Sequence, residues 1–196
     1  MDNRKVFYWN CADNRDHTHK RIEWAIENGY LICINIDIKE KLFDKVNIGD
    51  VILAYEPKGH KKSKSEHGED GFCMSCGNSK FDGRQAFTEA FTLSENPVVI
   101  SSYKEYKKYR NLIFRNWYCE IKHCYDIESC NKYMKTYLLN RKIYIFPITY
   151  SGKLKNTITS KTHTTSIYKY SGSIRKGFDI INDEFINNLL LNNNLF

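Results

Sequence analysis

The sequence predicts an α+β protein built on a mixed, mostly antiparallel and barrel-like β-sheet flanked by helices. Three observations carry that prediction. Segments of strand type outnumber those of helical type along the 196 residues. They do not follow the regular βαβ alternation that would demand a parallel sheet. With 41% hydrophobic and 14% aromatic residues the chain can bury a core, which sets it apart from disordered chains. The length suits a single domain over residues 1–196, with an insertion at 57–83.

Val6–Asn10 (VFYWN) is rich in aromatic and β-branched side chains and reads as the first strand. A helix over 17–28 follows, with Ile22, Ala25 and Ile26 as its apolar stripe, Asp16 as its cap and Gly29 as its stop. Leu31–Ile36 is expected to be a buried strand that takes Cys33 into the core. The Gly49-Asp50 turn leads into a strand over Val51–Tyr55, with Asp50 expected to cap the turn. Residues 57–83 break the pattern, being polar and rich in Lys, Ser and Gly. A loop this long inside a compact domain needs something to hold it together, or else it is mobile.

Residues 85–93 alternate large and small side chains as a strand does. A short basic, aromatic helix is expected over 103–110, a strand over 117–122 with Trp117 in the core, a helix over 127–139 and a strand over 143–148. A Ser/Thr/Lys-rich stretch occupies 151–173, and a helix capped by Asn182 closes the pattern over 182–191.

No apolar run approaches the ~20 residues of a membrane helix, and the polar N-terminus leaves no signal-peptide core. The expectation is an intracellular protein, of cytoplasm or nucleus, that does not enter a membrane. Seven irregularly spaced Cys do not form a secreted disulfide framework. The abundance of Lys, Asn, Ile and Tyr is that of an AT-rich genome, viral or cellular.

The net charge of +7 is unevenly placed. Between Glu128 and Asp179 there is no acidic residue. The same stretch holds ten cations: Lys132, Lys135, Arg141, Lys142, Lys153, Lys155, Lys161, Lys169, Arg175 and Lys176. The rest of the chain carries 20 cations against all 23 acids. Codon bias enriches Lys but does not exclude Asp and Glu from one block. An anionic partner, nucleic acid foremost, is therefore expected, with Lys153, Lys155, Lys161, Lys169, Arg175 and Lys176 as phosphate contacts.

The order of these signals resembles the EVE branch of the PUA-like superfamily, which is related to YTH domains. The matching pieces are Tyr8-Trp9-Asn10, the segment Tyr30–Asn35, Gly49-Asp50 with the strand ending in Tyr55, the strand 86–92, the Trp-led segment 117–121 and the closing run 175–190. The chain departs from that pattern in its 57–83 insertion, in the Asn-Cys that follows Trp9 and in Ile32 where a Gly is usual. The resemblance implies a PUA-like barrel with a pocket for one base, modified or flipped from its stack.

Such a pocket needs aromatic faces, for which Trp9, Trp24, Tyr30 and Tyr55 are the candidates, and carboxamides to read the base edge, for which Asn10 and Asn35 are. Each aromatic also has a plain role in the core. For Trp24, beside Ile22 and Ala25 on a helix, core packing is the favoured reading.

A second constellation lies in the insertion: His60, His67, Cys73 and Cys76, spaced H-x6-H-x5-C-x2-C. Zinc takes four tetrahedral Cys or His ligands, and C-x2-C places two sulfurs on one tight turn. A bound zinc would also supply the folding energy that an apolar-poor segment lacks. A mobile thiol-bearing loop and a redox pair are the competing readings. Cys119, Cys124, Cys130 and His123 span two elements and read as coincidence or core.

No catalytic signature is present: no G-x-S-x-G, no H-E-x-x-H, no phosphate-binding Lys loop and no dinucleotide glycine fingerprint. The expectation is a non-enzymatic module that binds DNA or RNA, modified or not. The first alternative is a zinc-stabilised protein–protein interaction module docking a partner through 57–83, and the second is an enzyme acting on nucleic acid through a site that no sequence signature marks.

Overall fold

The computed structural model describes residues 4–10, 18–33, 43–56, 72–73, 78–79, 86–117, 126–159 and 178–181. In chain order the elements are β1 (Val6–Asn10), α1 (Thr18–Asn28), β2 (Tyr30–Cys33), β3 (Val51–Glu56), β4 (Phe72–Cys73), β5 (Asn78–Ser79) and β6 (Ala86–Leu93). They continue with β7 (Val98–Ile100), α2 (Tyr103–Trp117), α3 (Ile127–Tyr137), β8 (Ile143–Thr159) and β9 (Phe178–Ile180).

The main sheet runs β2-β8-β6-β3-β1-β9, with β7 also paired to β8. Among the described strands only β1 and β3 run parallel, and the crossover that parallel pairing requires contains α1 and β2. The result, among the described residues, is an α+β half-barrel with a curled mixed sheet and three helices, the class the sequence predicts.

Period-2 alternation gives the sheet two apolar faces. Phe7 and Trp9 of β1, Ile52 and Ala54 of β3, and Phe91 and Leu93 of β6 turn to the inner face. There they meet Ile22 and Ala25 of α1, Tyr144, Phe146 and Ile148 of β8, and Phe178 of β9. Val6, Tyr8, Val51, Leu53 and Tyr55 form a second cluster on the opposite face with Phe87 and Ala90. A third cluster lies under the helices, where Ile143 and Ile145 of β8 pack on Tyr106, Ile113, Cys130 and Met134. Burying a large apolar side chain is worth about 1.5–3 kcal/mol, so these clusters hold the strands together.

Bulges bend the sheet. Ala54 pairs with Glu89 and Tyr55 with Phe87, which leaves Thr88 as an extra residue on β6. Ala90 pairs with Gly152 and Phe91 with Tyr150, which leaves Ser151 extra on β8. Gly152 has φ +137°, a region closed to most L residues, and so supplies the kink. Pro147 falls where β8 leaves β7, last paired at Ile145, and meets β6 at Ile148, the kind of ladder break that tolerates a residue with no N–H.

Two polar devices fix the ends of elements. Gly29 (φ +72°) stops α1, donating its N–H to the Ala25 carbonyl at 2.9 Å. The buried Asp50 carboxylate accepts the Lys5 and Asn47 N–H groups, each at 2.8 Å, and so ties the start of β1 to the start of β3.

Three sequence expectations are corrected. The helix expected over 103–110 continues to Trp117, so Trp117 ends α2 and does not open a strand. Tyr103, Tyr106 and Ile113 recur at helical spacing and pack toward α3, and that stripe overrides the β propensity of the aromatics. The strand expected over 143–148 runs to Thr159, because its Ser/Thr-rich half pairs with β6. Among the described residues the expected strand 31–36 begins at Tyr30 and is followed to Cys33. The closing helix expected at 182–191 lies outside the described residues, as does most of 57–83.

Candidate nucleic-acid interface

The helical pair concentrates the charge. Residues 101–142 carry ten Lys and Arg against four Asp and Glu, which accounts for six of the chain's seven net positive charges. Lys104, Lys107, Lys108 and Arg110 of α2 are exposed, as are Lys132 and Lys135 of α3 and Arg141 and Lys142 just beyond it.

Two of the four acids serve as caps. Glu105 accepts the Ser101 N–H at 2.9 Å and the Ser102 N–H at 3.0 Å, while Ser102 Oγ accepts the Glu105 N–H at 3.3 Å, a capping box that starts α2. The Ser101 N–H, then the Ser102 and Ser101 hydroxyls, hold the Glu105 carboxyl below its ordinary range. Asp126 caps α3 by accepting the Ser129 N–H at 2.7 Å, and that bond lowers its carboxyl in the same way. Both acids sit at helix N-termini, where the dipole favours them.

Aromatic rings support the cations. Lys107 and Lys135 place their Nζ atoms 5.4 and 5.3 Å from the Tyr103 ring centroid, one from each helix. Tyr106 donates its hydroxyl proton to Asn131 Oδ1 at 3.0 Å, which locks α2 to α3.

The base-pocket candidates are not all brought together. Trp9 is 2% exposed on the inner face, its ring 6.4 Å from Phe91. Tyr55 lies in the cluster on the other face, edge-on to Phe87 at 5.3 Å, where burial raises its hydroxyl pKa. Trp9 and Tyr55 therefore do not line one pocket. Trp24 is half-buried and packs against both the inner cluster and the helical cluster, while Tyr30, also half-buried, packs on the helical cluster. Asn10 stands opposite Tyr55 in the ladder. The side chain of Asn10 and all of Asn35 lie outside the described residues.

The structure adds two polar residues on the inner face, Glu89 and the exposed Tyr150. Trp9, Ala54, Glu89 and Lys153 fall in one register row across β1, β3, β6 and β8. Glu89 Oε2 accepts the Tyr150 hydroxyl proton at 2.6 Å. The Tyr150 ring lies 5.7 Å from Phe91, so a series of rings leads from buried Trp9 to exposed Tyr150. Burial, with the Glu89 bond and charge behind it, pushes the Tyr150 hydroxyl up to about 12. An acid inside the apolar run AFTEAFT was the available sequence signal for Glu89. Nothing in the sequence pairs it with Tyr150.

Of the phosphate-contact candidates, Lys153 is exposed beside Glu89, and Lys155 lies in β8 with its side chain outside the described set. Lys161, Lys169, Arg175 and Lys176 lie outside the described residues, as do His60, His67 and Cys76. Cys73 pairs with Asn78 in the β4–β5 hairpin. Among the described residues no three His, Cys, Asp or Glu gather as a metal site. None of the described helices is long and apolar enough to cross a membrane.

No family model matches this sequence, and no curated protein matches it. Among solved structures, the N-terminal domain of McrB from Staphylothermus marinus is similar over 95% of this chain and 93% of that one, at 14% identity and a TM-score of 0.48.

Proposed function

We propose that this chain is a non-enzymatic nucleic-acid-binding module that holds phosphates on the cationic helical pair and reads one base at the mouth of the half-barrel. The observation that carries the reading is the row of exposed Lys and Arg on α2 and α3, where the two nearest helix-cap acids are already bonded to serines. A face with that excess suits a polyanion. Base reading, DNA or RNA, modified or flipped, is the finer part. It is supported by the EVE-like motifs around Trp9 and Gly49-Asp50 and by the Glu89–Tyr150 pair, since a carboxylate accepts from a base's exocyclic amine.

Binding of a labelled duplex and of single strands across a salt series tests the phosphate surface. The logarithm of affinity should fall linearly with the logarithm of salt concentration, and Lys104→Glu with Lys107→Glu should flatten the slope. An affinity indifferent to salt overturns the reading.

The β4–β5 hairpin supports a second reading, in which zinc holds the insertion for a protein partner. Cys73 pairs with Asn78 across that hairpin, and Cys76 follows it in the sequence at the C-x2-C spacing that suits two sulfurs on one metal. Metal analysis and a melt with chelator decide it: bound zinc and a lowered Tm support it, and a metal-free protein with an unchanged melt removes it.

A further inference from the structure

Along α3 and its C-terminal turn runs an open groove of ≈ 560 Å³ that the barrel-mouth reading does not use. Its lining includes Lys132, Tyr133, Thr136 and Tyr137, the i, i+1, i+4, i+5 stripe of one face of α3, with Asn140 and Arg141 from the turn beyond it and Ser129 at its other end. The other face of α3 is already engaged, with Cys130, Met134 and Leu138 buried under the helical pair. Tyr137, 7% exposed, belongs to that cluster too, so it backs the groove while Tyr133 presents the exposed ring.

Three properties of the groove define its ligand. First, Tyr133, 36% exposed, lies 5.8 Å from Tyr137 at 30° between ring planes, so a flat ring can stack there. The Arg141 guanidinium sits 5.5 Å from the Tyr137 centroid and extends the same platform. Second, Lys132 and Arg141 line it and no acid does. The helix C-terminus contributes roughly −0.5 of a charge, which two full cations outweigh. Third, Thr136 and the Asn140 carboxamide are exposed and offer both donors and acceptors. A ring, an anion and a polar edge together describe a nucleotide within a strand.

We infer that this groove holds one unstacked nucleotide of the bound strand, with its base on Tyr133 and its phosphate between Lys132 and Arg141. The inference rests on the nucleic-acid reading above and adds a site outside the barrel. An acidic peptide would satisfy the two cations but would leave the paired rings without a role.

The test uses the full chain and a fluorescent oligothymidylate. Tyr133→Ala should weaken binding roughly 5- to 150-fold with the salt slope unchanged, because base–aromatic stacking is sequence-tolerant and uncharged. Tyr133→Phe should bind like the parent. Lys132→Ala should lower the salt slope by about 1. Parent-like binding by Tyr133→Ala, with binding still salt-sensitive, overturns the groove and leaves the general function standing. No nucleic-acid binding by the parent chain overturns both. Equal binding of polyglutamate, with the same sensitivity to Tyr133→Ala, overturns the nucleotide in favour of an acidic peptide. Should Tyr133→Ala lose its cooperative melt, amide shifts of the parent protein decide: movement confined to 129–141 on titration supports the groove, and none there overturns it.

Discussion

Phe146 of β8 and Phe178 of β9 stack at 4.5 Å and 16°, although their strands are not neighbours in the sheet. Phe178 also stacks on Phe7 of β1 at 5.5 Å. Ring contact, with no ladder of hydrogen bonds between these two strands, brings the two sides of the curled sheet together across the inner face. Phe178→Ala should therefore cost about 3–5 kcal/mol in a urea unfolding experiment, as for other fully buried Phe, and Phe178→Leu clearly less. A loss below 1 kcal/mol would show that the stack does not hold the curl.

Thr88 is the extra residue of the β6 bulge, 2% exposed, and its Oγ1 has no hydrogen-bond partner among the described residues. A buried hydroxyl without a partner costs about 1–3 kcal/mol. Thr88→Val keeps the shape and removes that cost, so it should raise Tm by about 2–4 °C for each kcal/mol recovered in a chain of this size. A lowered Tm would mean that the hydroxyl is satisfied.

Stability should decline at both ends of the pH scale. Glu105 and Asp126 are held below their ordinary values of 4.5 and 3.8, so their contribution is present above those values and fades as pH falls through the lowered ones. Tyr150 moves the other way. Its folded value of about 12 lies above the unfolded 10, so the folded state keeps a proton that the unfolded state releases, and its contribution is lost as pH rises from 10 to 12. Spectrophotometric titration of the tyrosines should show late phenols, Tyr55 and Tyr150 among them, and Glu89→Gln should bring the Tyr150 one earlier. An unchanged titration in Glu89→Gln would separate the pair.

The same substitution reports on base reading. Glu89→Gln removes a carboxylate at the mouth while leaving the helical cations in place. It should change preference among modified and unmodified bases by about 1–3 kcal/mol, with the salt slope of binding intact. Equal loss across all sequences would make Glu89 structural.

The sheet was largely legible because VFYWN, GDVILAY and AFTEAFT each combine β-branched or aromatic residues with a clear turn or alternation. The cationic face was legible only in part. Its charge lies in the sequence, yet the stretch between Glu128 and Asp179 captures α3 and omits Lys104, Lys107 and Lys108 of α2. Those become one surface with α3 only when Tyr106 bonds Asn131. Trp117 misled because an aromatic run has the same composition in a strand as on a packed helix. The Glu89–Tyr150 pair spans 61 residues and depends on where the bulges fall, and no local pattern records that.

β9 is the latest described strand to be synthesised, and it brings the ring that seals the inner face. Until it emerges from the ribosome, the ring stack that joins Phe7 to Phe146 through Phe178 cannot form, and that part of the inner face stays open to water. The fold therefore cannot finish from its amino end onward. The stack that joins β1, β9 and β8 waits on a three-residue strand, and a nascent chain stalled upstream of Phe178 would be a natural client for chaperones.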